Sequence, residues 1–160
     1  MKPIVLATDG SPSAAEATLN AVELAKALGA PLVAVSVEHV LIPTYGYFGY
    51  SDVVAELTKM EQAHVRETLE QTRAVAAEAG IACDTIACSG PVADAICTTA
   101  RRRNARLIVV GAHGWGPIGR AVHGSVSTAV LHEAHCPVLV VRGGPEVVTE
   151  AALAVSGHAA

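Results

Sequence analysis

Five short apolar runs punctuate the chain: Pro3 to Thr8, Pro31 to Val37, Ile81 to Cys88, Arg106 to Val110 and Pro137 to Val141. Their length and their content of Val and Ile predict β-strands. Between them apolar residues recur at helical spacing, as in Ala21, Leu24, Ala25 and Leu28, and again in Val92, Ala95, Ile96, Thr99 and Ala100. The order is β-α-β-α-β-α-β-α-β. Alternation of this kind requires crossover connections, so the strands are expected to be parallel, with helices on both faces of a doubly wound five-stranded α/β sheet.

Local signals sharpen some boundaries. Ser11 ahead of Pro12, Glu16 three residues after Ser13, and Gly29 after the last periodic position read as start and stop of the first helix. The second helix, about Asp52 to Ala79, places Val65, Leu69, Thr72 and Ala76 on one face and Arg66, Glu70 and Arg73 on the other. Ahead of it, Tyr45 to Tyr50 holds all three tyrosines and the only phenylalanine in a glycine-rich connection. This segment reads as aromatic rings packed over a sheet edge, with a lid or partner surface as the alternative. Residues 1–142 are expected to form one domain and 143–160 an Ala-rich tail, mobile or docked as a short helix.

Composition narrows the class. The 160 residues are 51% hydrophobic but only 3% aromatic, so the interior must be built from Ala, Val, Leu and Ile. A net charge of −4 offers no attraction to a phosphate backbone or an anionic membrane, so neither is expected as a partner. No apolar stretch reaches the roughly 18 residues that span a bilayer, and the opening segment turns polar at Thr8-Asp9-Gly10, too early for a secretion signal. A cytoplasmic location is expected. Cys83, Cys88, Cys97 and Cys136 form no C-x-x-C pair and read as reduced, buried thiols. His132, His135 and Cys136 cluster near the end of the fourth helix but lack the second half of a zinc site, so no metal site is expected. Arg101-Arg102-Arg103 complements the dipole at the end of the third helix.

Chemistry concentrates after the fourth strand, in the run Gly111 to Ser127, where five glycines fall in fourteen residues. Such a loop can turn several N–H groups toward one anion, and the helix that follows adds its free N–H groups and positive dipole end. Three glycine motifs fit only in part. Gly114, Gly116 and Gly119 match G-x-G-x-x-G, but the pattern starts past the strand and no acidic residue closes the next strand. Gly119 to Ser125 approaches a P-loop, but serine stands where the phosphate-gripping lysine belongs. No G-x-S-x-G hydrolase elbow occurs.

The spacing G-x2-G-x9-G-[ST] is met by Gly111, Gly114, Gly124 and Ser125. Together with the opening Ile4-Val5-Leu6-Ala7-Thr8-Asp9-Gly10-Ser11, the second strand and the ending from His135 to Val141, it resembles the ATP-binding type of the universal stress protein family. The resemblance implies a sheet ordered 3-2-1-4-5, ATP (or ADP or AMP, with Mg) between strands one and four, and a homodimer. Matched by position, it implies that Asp9 faces the ribose, Ala7 and Thr8 line the pocket, and the Val37 backbone pairs with the adenine edge. Gly111, Gly114 and Gly124 would give backbone room, and Ser125 and Ser127 would offer hydroxyl and N–H donors to phosphate, with Val126 between them in the same site. His113 and Arg120 lie in the same loop, Arg120 as a counter-charge or as plain surface. If that strand order holds, the apolar fifth strand is an edge that a second copy would cover.

The function expected is regulation or stress response through nucleotide-dependent conformation or partner binding, without enzymatic turnover. The alternatives are a slow ATPase or nucleotidyl-transferring relative, for which the loop offers no lysine and no evident acidic pair, and a ligand-free dimeric scaffold.

Overall fold

The computed structural model describes residues 1–38, 51–112 and 124–142. In chain order its elements are β1 (Ile4–Ala7), α1 (Pro12–Leu28), β2 (Leu32–Glu38), α2 (Ser51–Glu78), β3 (Cys83–Ser89), α3 (Val92–Arg102), β4 (Leu107–Gly111), α4 (Ser125–Glu133) and β5 (Val138–Val141). The strands form one parallel sheet in the order β3-β2-β1-β4-β5. Each strand falls within a residue or two of its apolar run. Thr8, expected in the first strand, lies just past it, although its N–H still donates to Val35 C=O at 2.9 Å. The aromatic segment at 45–50 and the tail at 143–160 lie outside the described residues.

Alternation along β1 divides the core. Ile4 and Leu6 point to the side of α1 and join Ala17, Ala21, Ala25 and Leu32. Val5 points to the other side and joins Val33, Ile96, Ala100, Ile108 and Val130, from β2, α3, β4 and α4. The period of two thus sends successive residues of a central strand into two separate cores. Ile4, Val5, Leu6, Ile108 and Val109 are fully buried. Truncating one of them, as in Ile108→Ala, is expected to destabilise the fold by about 2–5 kcal/mol.

Helix α1 begins as its sequence dictates, with one change of partner. Ser11 is the N-cap and its Oγ accepts from Ala14 N–H at 3.2 Å, while Pro12 occupies the first turn where a missing N–H is harmless. Glu16 lies beyond the first turn and takes no part in capping. Gly29 ends the helix at φ 59°, the left-handed conformation that favours glycine. In α2, burial begins at Val65 and continues through Thr68, Leu69, Thr72 and Ala76; Val53, Leu57 and Met60, on the preceding turns, are exposed. At the far edge of the sheet, Arg103 caps α3 and pairs with Asp84 of β3 at 3.2 Å.

Candidate functional site at the reversal of strand order

The connections from β1 to β2 and onward run to one side of the sheet, whereas β4 and β5 lie on the other. The loops leaving β1 and β4 therefore diverge, and a crevice opens between the carboxyl ends of these two neighbouring strands. Ala7, Thr8 and Asp9 are on its β1 side. Gly111 closes β4, and Gly124, Ser125, Val126 and Ser127 begin α4. His113, Gly114 and Arg120 lie outside the described residues.

The β1 side is a tightly bonded turn. Asp9 Oδ1 accepts from Ser11 N–H at 2.9 Å, and Gly10 takes φ 75°, which reverses the chain into α1. Sequence reasoning missed a contributor here. His64 Nε2, exposed on α2, donates to the backbone oxygen of Asp9 at 3.0 Å across 55 residues. No local signal marks a pairing so distant, because the spacing of α2 announces only its buried face.

The β4 side is closed at its base. Gly124 N–H donates to Ala112 C=O at 2.6 Å, and Ala112 N–H donates to Val141 C=O at 2.7 Å. Ser127, buried in the first turn of α4, points its hydroxyl at two carbonyls, Gly124 at 3.0 Å and Ala112 at 3.4 Å. That proton is engaged within the chain, which corrects the expectation of a Ser127 hydroxyl donor for phosphate; Ser125 is exposed. The two described glycines of the motif differ. Gly124 has φ −67° and ψ 156°, an extended conformation open to any residue. At Gly111 the missing side chain makes room for α1, since a β-carbon would meet Ser13 Oγ at 2.8 Å and Ser13 backbone atoms at 3.0 Å.

The two helix starts at the crevice differ. That of α1 is capped by Ser11, whereas Gly124 brings no capping side chain to α4, whose first turn holds no acidic residue. Among the described residues no side chain caps the first-turn N–H groups of Ser125, Val126 and Ser127, which carry the positive end of that helix dipole. Such an end favours an anion.

Val37 lies nearby with its side chain in the core beneath α3 and α4. Val35 C=O accepts from Thr8 N–H, so odd-numbered residues of β2 aim their backbone groups toward β1. Val37 is two residues beyond the last β1–β2 pair, Ala7 with Val35. Its backbone therefore faces the space past the end of β1.

Among the described residues, no three His, Cys, Asp or Glu side chains gather as a metal site, and no helix is long and apolar enough to cross a membrane. A second concavity of about 400 Å³ runs between α2 and β3, lined by Glu38, Val65, Arg66, Leu69, Arg73 and Thr85, among others, and is separate from the crevice. The described cysteines are free thiols.

The fold has counterparts among known proteins. The Universal stress protein family model matches residues 1–142. A universal stress protein of Methanocaldococcus jannaschii is 35% identical over 145 residues, covering 88% of this chain and 82% of the relative. A solved universal stress protein from Lactobacillus plantarum superposes with a TM-score of 0.78 at 28% identity, over 88% of this chain and 97% of that one. A universal stress protein solved in complex with cAMP superposes with a TM-score of 0.68 at 25% identity, over 89% of this chain and 98% of that one. A glycine spacing read from the residues and a strand order implied by resemblance thus meet a family match over nearly the whole chain, and the chain belongs to the universal stress protein family.

Proposed function

We propose that the chain binds an adenine nucleotide in the crevice between β1 and β4, with ATP and Mg²⁺ as the fullest form of the ligand. What supports this most directly is the start of α4, where among the described residues no side chain caps the first-turn N–H groups, beside a neighbouring strand whose turn carries Asp9. The relative in complex with cAMP adds that a chain of this fold accommodates an adenine nucleotide. In this assignment Asp9 accepts from the ribose, Ala7 and Thr8 wall the pocket, and the Val37 backbone meets the adenine edge. The N–H groups of Ser125, Val126 and Ser127 hold phosphate. His113, Gly114 and Arg120 complete the site by resemblance, and Mg²⁺ rides on the phosphates, since hard cations favour phosphate oxygens and water over a dedicated protein cage.

Occupancy then acts as a signal in stress response or regulation within the cytoplasm, biasing conformation or a partner surface. Hydrolysis stays far below the roughly 1 to 1000 per second of ordinary enzymes, because the site offers donors for phosphate but no evident base for water. Calorimetric titration of protein stripped of bound ligand tests the assignment. ATP with Mg²⁺, AMP and cAMP each bind with a stoichiometry of one per chain, and failure of all three to give heat or compete overturns it.

A further inference from the structure

Among the described residues, the Asp9 turn is held from two directions. Locally, Asp9 Oδ1 accepts from Ser11 N–H, but Gly10 N–H sits 3.5 Å from Thr8 Oγ1, a long contact that fixes the Asp9–Gly10 peptide only loosely. From α2, His64 Nε2 donates to the carbonyl oxygen of that same peptide at 3.0 Å. Because the peptide unit is planar, anchoring its oxygen sets the direction of the whole unit, and with it the spacing from the Asp9 carboxylate to Ser11.

Glycine at residue 10 makes the approach of α2 possible. A β-carbon there would fall 2.9 Å from Thr68 Oγ1 and 3.4 Å from His64 Cε1. Thr68 and His64, one helical turn apart, thus form a pad against which the turn rests. The packing of this helix on the sheet runs through Val65, Leu69 and Ala76, while His64 is exposed.

We propose that His64 is a positioning residue of the nucleotide site, holding the Asp9–Gly10 peptide so that the Asp9 carboxylate is aimed at the bound nucleotide before it arrives. This rests on the nucleotide assignment above. The ring donates through Nε2–H in its neutral Nε2 tautomer and as the cation, so the role does not depend on a change of charge.

The test uses the full chain, stripped of ligand, with AMP and with ATP and Mg²⁺ as probes. His64→Ala is expected to weaken both by about three- to tenfold, the loss of one modest hydrogen bond, with an almost unchanged melting temperature. His64→Gln, whose side-chain amide donates at a similar reach, restores most of the affinity. In the ligand-free protein, the Ser11 amide exchanges faster in His64→Ala than in wild type, a readout that a role in packing alone would not move. Wild-type affinity in His64→Ala, or a His64→Gln variant no better than His64→Ala, overturns the positioning role. A wild-type chain that binds neither probe places the failure in the nucleotide assignment instead, and the role falls with it.

Discussion

Gly111 at the end of β4 and Ser13 in the first turn of α1 stand so close that a β-carbon on residue 111 would lie 2.8 Å from the Ser13 hydroxyl oxygen and 3.0 Å from Ser13 backbone carbon and oxygen. The hydroxyl can rotate away, but the backbone of a capped helix start cannot. Gly111→Ala is therefore expected to destabilise the fold by about 1–3 kcal/mol, the range for overpacking a tight site. For a domain of this size that lowers the melting temperature by very roughly 2–12 °C. Calorimetry of the ligand-free chain checks it, and an unchanged midpoint would show that β4 and α1 separate without strain.

The start of α4 allows stability and binding to be pulled apart. Val126 is exposed in the first turn of that helix. A glutamate there should favour the dipole by about 0.3–1 kcal/mol while placing a negative charge where phosphate is expected. The ligand-free Val126→Glu chain should melt no lower than wild type. Saturating nucleotide at about 100 times its dissociation constant adds roughly 2.7 kcal/mol to wild type, and this gain should vanish in the variant. A full nucleotide shift in Val126→Glu would move the phosphates away from α4.

The two sheet edges differ in chemistry, which bears on assembly. β3 carries Asp84, paired with Arg103, whereas β5 reads Val-Leu-Val-Val without a charge, and Val138, Leu139 and Val140 are only half-buried. A homodimer joined along β5 would cover its apolar side chains and its open backbone groups together. Val140→Lys should then shift light scattering from dimer to monomer at micromolar protein with an unchanged circular dichroism spectrum. Monomeric wild type under the same conditions would argue against this edge as the interface.

Burial pushes the Cys83, Cys97 and Cys136 thiols above their ordinary value of 9.0, with Asp84 adding to the effect at Cys83 and Glu133 at Cys97. Below that value both folded and unfolded chains hold these protons, and the contribution to stability is complete. Above it the unfolded chain releases them first, the folded state binds more protons, and stability falls as pH rises toward the raised folded values. Urea midpoints measured between pH 8 and pH 10 should therefore decline, and decline less in Cys97→Ala. An identical decline in wild type and variant would assign the effect to other groups.

The strands were legible in the sequence because each is a short Val- and Ile-rich run bounded by turn residues, and the family because glycine spacing after the fourth strand is distinctive. The strand order came from resemblance, since local pattern does not say which parallel neighbours pair. What escaped depended on tertiary contact. The space at Gly111, expected to give a ligand backbone room, also admits Ser13, and Ser127 directs its hydroxyl inward. His64 carries no local mark, because a lone exposed histidine gains meaning only from the carbonyl it meets.

The hydrogen bond from Gly124 N–H to Ala112 C=O has a consequence for how the family can vary. It pins the chain that leaves β4 to the chain that starts α4, whatever length of sequence runs between them. Lengthening a chain between fixed ends is thermodynamically shallow, about 0.6 kcal/mol for each doubling. Insertions between residues 112 and 124 should therefore leave melting nearly untouched, making this neck a natural cut-and-paste boundary for grafting other sequences.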